Sequence, residues 1–217
     1  MQKLTKDILI AALPLRTAQF VIRLWNRDDL DKLAIWPKYP FPYEAFDFSF
    51  KDTNAEEKDV YFRKRSENPN MVITVVDLTE QPAMGYFAPH SIGWNDRKIG
   101  NFGYRIMPSH CDKGIGTSVL REAVQWVFKC GMNTICLDVA ASNSRAIRCY
   151  ENIGFVKTGE IWREDQNLSS IDMADVRYDF LRPHVRFDNS VPHICFWLME
   201  LRKEKQEKPN KTDAGDA

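Results

Sequence analysis

No apolar run in the sequence approaches the roughly 20 residues needed to span a bilayer, so no membrane partner is expected. The apolar stretch Ile8 to Leu13 follows Asp7 and is short for a signal segment, so Met1 to Pro14 read as part of the mature protein. Net charge is also missing. The 30 basic and 30 acidic residues cancel, and there is no basic cluster. A global attraction to nucleic acid or to an anionic surface is thereby excluded. The five cysteines, Cys111, Cys130, Cys136, Cys149 and Cys195, are odd in number and never in CxxC spacing. Neither a disulfide framework nor a zinc site is expected, and reduced thiols in a cytoplasmic protein are the simpler reading. The four histidines are scattered without HxxxH spacing, so no metal is expected.

What is present is ordinary globular composition, 44% apolar and 28% charged over 217 residues. Gln19 to Trp25 alternates Phe20, Ile22 and Leu24 with Val21 and Arg23, the period of a strand. Asn26, Asp28 and Asp29 open a helix that runs to about Trp36, where Pro37, Pro40 and Pro42 stop it. From Trp36 to Phe50 aromatics and prolines are too dense for regular structure, and a packed irregular loop is expected. A helix over 54–66 precedes strands over 71–76, 84–92 and 99–107, which read as an antiparallel meander. The period then becomes 3.6 residues, through Ile115, Val119, Leu120, Ala123, Val124, Val127 and Phe128, with Gly131 as the stop. A strand over 134–140, a helix over 143–152 and a strand over 154–161 follow. This strand–helix–strand order implies parallel pairing.

The expected fold class is therefore α+β, a mixed and mostly antiparallel central sheet with helices on both faces. Ile171 to Leu181 reads as a strand, or as a helix capped by Ser169, and 193–201 as the closing strand. Residues 1–201 are expected to be one domain. Residues 202–217 carry no large apolar side chain and are expected to be a disordered charged tail.

Chemistry is concentrated in 106–117, Ile-Met-Pro-Ser-His-Cys-Asp-Lys-Gly-Ile-Gly-Thr. A strand runs out, a loop turns, and an amphipathic helix starts at the glycines. Backbone N–H groups at a helix start are unpaired and lie at the positive end of the macrodipole, a good place for phosphate. Gly114 and Gly116 keep side chains away from those donors, Lys113 adds a cation and Thr117 a hydroxyl. The Walker and dinucleotide fingerprints are absent, and taken alone a tight turn explains the glycines better.

A second stretch changes the balance. Residues 137–155 contain Asn143, Ala146, Tyr150, Glu151, Gly154 and Phe155 in the pattern NxxAxxxYExxGF. With 108–117, this resembles the GNAT superfamily of N-acetyltransferases, whose phosphate loop reads [RQ]xxGxG. Leu15 to Trp25 resembles the opening of the ribosomal-protein N-terminal acetyltransferase branch. The resemblance spans roughly 15–165. It departs at the head of the loop, where Cys111 replaces Arg or Gln and Asp112 stands where glycine is common.

The resemblance implies the GNAT-like acyl-CoA N-acyltransferase fold and transfer of acetyl from acetyl-CoA to a primary amine by direct attack in a ternary complex. The amine is left open among a protein N-terminus, a polyamine, an aminoglycoside and an amino acid. Lys113, Gly114, Ile115, Gly116 and Thr117 would hold the pyrophosphate. Ile106, Met107 and Asn143 would meet the pantetheine arm. Tyr150 would protonate the leaving sulfur, with a core tyrosine as the structural alternative. Asp138 is the candidate base, with Glu44, Asp47 and His90 as rivals. Trp36, Tyr39, Phe41 and Tyr43 line an acceptor pocket or simply pack. The chain is expected to be a monomer or homodimer. A non-catalytic acyl-CoA-binding module is the alternative that Cys111 and Asp112 support.

Overall fold

The computed structural model describes residues 3–44, 50, 53–166, 168 and 171–203. In chain order it contains α1 (Lys6–Ala11), β1 (Leu15–Arg16), β2 (Val21–Leu24), α2 (Arg27–Ala34), α3 (Ala55–Glu67), β3 (Thr74–Asp77), β4 (Gly85–Gly93) and β5 (Lys98–Ile106). It continues with α4 (Ile115–Lys129), β6 (Thr134–Ala140), α5 (Ser144–Glu151), β7 (Val156–Glu164), β8 (Val185–Asp188) and β9 (Val191–Arg202). The strands form one sheet in the order β1-β2-β3-β4-β5-β6-β9-β7, with β8 beside β9. Neighbours are antiparallel except β5 and β6.

Adjacent residues on a strand face opposite sides of a sheet, and the two cores follow that alternation. Val76 of β3 joins Phe87, Phe102, Leu137 and Val139 in a cluster with Val119, Leu120, Ala123 and Val127 of α4. Its neighbour Val75 packs instead with Trp25, Leu30, Leu33 and Trp36 on the other face. Helices thus cover both faces, as expected. Each fully buried apolar side chain contributes about 1.5–3 kcal/mol relative to exposure. Capping boxes start α2 and α3, Asn26 with Asp29 and Asn54 with Glu57. Asp29 is fully buried and accepts two hydrogen bonds from Arg23, each 2.8 Å.

Four features differ from the sequence reading. The N-terminal stretch forms α1, whose Leu9 is buried and whose Leu9 carbonyl accepts from the Trp126 indole at 3.2 Å. The closing strand β9 enters between β6 and β7, so those two strands are not paired. Ile171 to Leu181 is neither strand nor long helix: its described part holds turns and a short 3₁₀ segment, Val176–Tyr178. Asp172 and Asp175 accept from the N–H two residues on, which competes with helical bonding. The strand β8 had no clear sequence signal. It forms a hairpin with β9 through Asn189 and Ser190, both at positive φ, 51° and 67°. Ser169 and 204–217 lie outside the described residues.

Candidate active site

The strands β5 and β6 pair only at Lys98↔Thr134 and Ile99↔Ile135. Beyond that point β5 continues to Ile106 and β6 to Ala140, with β6 bonded along its whole length to β9 on its other side. A gap therefore opens in the sheet. The Met107 N–H donates to the Met84 carbonyl at 2.8 Å, toward β4. In a trans peptide the carbonyl of Ile106 points the opposite way, toward the gap. There it accepts the hydroxyl of Tyr39, a buried side chain from the aromatic loop. Burial pushes the Tyr39 hydroxyl pKa up to about 12. The Met107 carbonyl accepts the His110 N–H at 2.9 Å, so both main-chain groups of Met107 are engaged.

The loop after β5 makes a 3₁₀ turn, Pro108–His110, and then reaches Gly114 at φ 75°, the N-cap of α4. No side chain caps this helix, and a Cβ at Gly114 would meet nothing within 4 Å. A cavity of about 340 Å³ lies at the start of α4, lined by Gln19, His110, Lys113, Gly114, Ile115 and Ser118. The carbonyl of Gly116 accepts the Tyr104 hydroxyl at 2.6 Å, and Thr117 Oγ1 is 3.5 Å from Cys149 Sγ. Asp112 turns to Arg145 of α5, 3.6 Å away. The Arg145 guanidinium lies over the Tyr43 ring, 3.8 Å from its centroid. The carboxylate at the loop head is thus met by a cation.

Asn143 caps α5, accepting from Ala146 N–H at 3.1 Å. One turn after another, this helix buries Ile147 and Tyr150. Burial pushes the Tyr150 hydroxyl pKa well up, and Cys149, Asp138 and Tyr39 add to the shift. The phenol therefore keeps its proton through neutral pH. Leu137 and Val139 join the α4 and α5 cluster, so Asp138 between them faces the other side of the sheet. Its Oδ2 accepts from Asn101 at 2.9 Å and from Arg163 at 2.7 Å, and Oδ1 carries neither bond. Tyr150 belongs to the buried cluster on the α4 side of the sheet, opposite the face that Asp138 takes.

Among the rival bases, His90 pairs with Asn101 across β4 and β5 and sits 3.2 Å from Ser91 Oγ. Burial, with Arg65, pushes its pKa below the usual value, against a smaller effect of Asp138. Glu44 Oε1 accepts from Tyr178 at 3.2 Å, and its buried Oε2 has no partner among the described residues. Asp47 lies outside the described residues. The four aromatics divide. Trp36 is core and donates to the Ala83 carbonyl at 3.0 Å. Tyr39 reaches the gap. Phe41 and Tyr43 line a second cavity of about 430 Å³, beside Ala141, Ser142 and Phe180. Sequence reasoning missed Arg145, Arg163 and Asn101. Nothing local marks them, because their partners come from other elements. Among the described residues no group of three or more His, Cys, Asp or Glu side chains could hold a metal, and no helix is long and apolar enough to cross a membrane.

Comparison with known proteins agrees with this geometry. A family model described as an acetyltransferase (GNAT) domain matches residues 19–156. The chain is 25% identical over 162 residues to spermidine N(1)-acetyltransferase of Vibrio cholerae, covering 74% of this chain and 86% of that one. It is 31% identical over 78 residues to the ribosomal protein bS18-alanine N-acetyltransferase of Escherichia coli, covering 36% of this chain and 51% of that one. The crystal structure of the Vibrio cholerae spermidine enzyme with CoA and spermine superimposes with a TM-score of 0.63 at 19% identity, over 86% of this chain and 96% of that one. That likeness supports the fold.

Proposed function

The chain belongs to the GNAT acetyltransferase family, and on that premise we propose that it transfers acetyl from acetyl-CoA to a primary amine within a ternary complex. The observation that carries this reading is the gap between β5 and β6, with an uncapped helix start in the loop that follows β5. The N–H groups of Gly114, Ile115, Gly116 and Thr117, with the Lys113 ammonium, hold the pyrophosphate. The pairing of Asp112 with Arg145 supports this, because it offsets the carboxylate at the loop head. The pantetheine arm lies in the gap. Its amide N–H takes the Ile106 carbonyl in place of the Tyr39 hydroxyl, and the Asn143 amide meets the arm from α5. Met107, with both main-chain groups engaged, contributes the bend that turns strand into loop.

Proximity of the two bound substrates supplies much of the acceleration. Asp138 takes the ammonium proton through a water on Oδ1, freeing the amine lone pair to attack the thioester. Tyr150 protonates the departing thiolate from the opposite face of the sheet. The single domain over 1–201 is the unit that acts, and its five unpaired thiols support a cytoplasmic setting. The test is thiol release from acetyl-CoA with a panel of a peptide N-terminus, a polyamine, an aminoglycoside and amino acids. Release with at least one amine is expected. Coenzyme binding without release by any amine would favour the non-catalytic acyl-CoA-binding module.

A further inference from the structure

We propose that Asn101 and Arg163 are positioning residues for acetyl transfer: together they hold one oxygen of the Asp138 carboxylate and leave the other to take the proton of the amine. This rests on the acetyl-transfer reading above, with Asp138 as its base. Asn101 lies beyond Ile99, the last residue of β5 paired with β6, and Asp138 lies beyond its partner Ile135. The main-chain ladder has stopped there, yet Asn101 Nδ2 donates to Asp138 Oδ2 at 2.9 Å. A side-chain bond thus crosses between the parting strands where the gap begins.

The second donor comes from the other side. Strand β9 separates β6 from β7, with Leu198 opposite Asp138 and Ile194 opposite Arg163. Phe196 stands between those two positions, on the same face by alternation. The Arg163 guanidinium lies over the Phe196 ring, 4.9 Å from its centroid, and Nη2 donates to Asp138 Oδ2 at 2.7 Å. Stacking on an aromatic face restrains the plane of a guanidinium. Two donors from different strands therefore converge on Oδ2, and neither bonds Oδ1. The carboxylate cannot turn without breaking a charge-assisted hydrogen bond.

Fastening the sheet is not the main effect of this arrangement. Strand β7 is already paired with β9 from Val156 to Glu164. The Arg163 side chain is 46% exposed, and an ion pair so open to solvent contributes about 0–1 kcal/mol. Asp138 is only 16% exposed, so its orientation is set by these protein partners more than by water. A base must come within hydrogen-bond reach of the proton it removes, directly or through one water. Misplacing a reacting group by about 1 Å can cost about 100-fold in rate. The two bonds thus contribute to catalysis more than to stability.

The test is a mutant cycle read by thiol release from acetyl-CoA. An alanyl peptide, spermidine and kanamycin are offered, and the fastest acceptor is carried through the series. Arg163→Gln should lower kcat by about tenfold or more, with KM and the acetyl-CoA Kd from calorimetry within about threefold. Asn101→Ala should act in the same direction and serves if Arg163→Gln does not fold. Placed on Asp138→Asn, either substitution should change kcat by less than about twofold, because the group it positions is already disabled. A merely structural role would lower kcat equally in both backgrounds. An unchanged kcat in folded Arg163→Gln and Asn101→Ala, or equal losses with and without Asp138, overturns the inference and leaves acetyl transfer standing. Full activity of Asp138→Asn removes the base and the inference with it. Bound acetyl-CoA with thiol released by none of the three amines overturns the inference and the acetyl-transfer reading together.

Discussion

Replacing Gly114 by alanine separates the stability of the phosphate loop from its grip on a ligand. Gly114 has φ 75° and caps α4. An L side chain in the left-handed region costs about 1–2 kcal/mol. No steric cost adds to this, because a Cβ there meets nothing within 4 Å. For a chain of this size each kcal/mol lowers Tm by about 2–4 °C, so the fall should be about 2–8 °C. Binding should suffer more. The strain is present with and without ligand and cancels from the affinity. The methyl, however, stands in the open space in front of the helix N–H groups, where the account places the diphosphate. Losing one hydrogen bond to a charged group costs about 1.5–3 kcal/mol, a rise in acetyl-CoA Kd of about 10- to 150-fold. Scanning and titration calorimetry on the same preparation measure both quantities. A lowered Tm with an unchanged Kd would refute the reasoning, since it would show that no anion sits against these amides.

Tyr150→Phe should lower kcat by about 100-fold or more while acetyl-CoA affinity stays within about tenfold, because the hydroxyl acts on the leaving sulfur and not on the bound coenzyme. Steady-state kinetics beside calorimetry checks this, and unchanged kcat removes the tyrosine from the acid role. Tyr39→Phe frees the Ile106 carbonyl and should tighten acetyl-CoA binding by about fivefold, the worth of about 1 kcal/mol of net hydrogen bonding. Weaker binding would show that the hydroxyl holds the gap open instead of competing for it. Burial raises the Asp29 pKa, but the hydrogen bonds from Arg23, Asn26 and Lys32 outweigh it and leave the carboxyl below its ordinary value. Its stabilisation is complete above the unfolded pKa of about 3.9 and is lost as pH falls through the lower folded value. The urea midpoint of the wild type should therefore fall more steeply below about pH 4 than that of Asp29→Asn. Parallel curves would contradict the assignment.

Local signals were legible where they coincide with the tertiary outcome. The strand over 134–140 appears with the same bounds, and the 3.6-residue period from Ile115 marks the face that α4 buries. The glycine loop and the Asn143 to Phe155 pattern carried the family resemblance, because both depend on short-range spacing. The rest depends on partners distant in the chain. The stretch Ile8 to Leu13 reads as a bare apolar run, and α1 gains a place by packing on α4. Insertion of β9 between β6 and β7 leaves no local trace, because each strand has the same period wherever it pairs. The region 171–181 was ambiguous because apolar spacing suggests a regular element while Asp172 and Asp175 capture the backbone locally. At the site, Asp112 looked like a liability in sequence. Its pairing with Arg145, and the stacking of Arg145 on Tyr43, become visible only once the loop and α5 are adjacent.

A crystal structure of the protein grown with coenzyme A tests the central claim most directly. The account predicts diphosphate oxygens within hydrogen-bond reach of the N–H groups at 114–117, the pantetheine arm between β5 and β6, and the Tyr39 hydroxyl displaced from Ile106. Coenzyme absent from that gap, or β5 and β6 bonded along their full length, would contradict it.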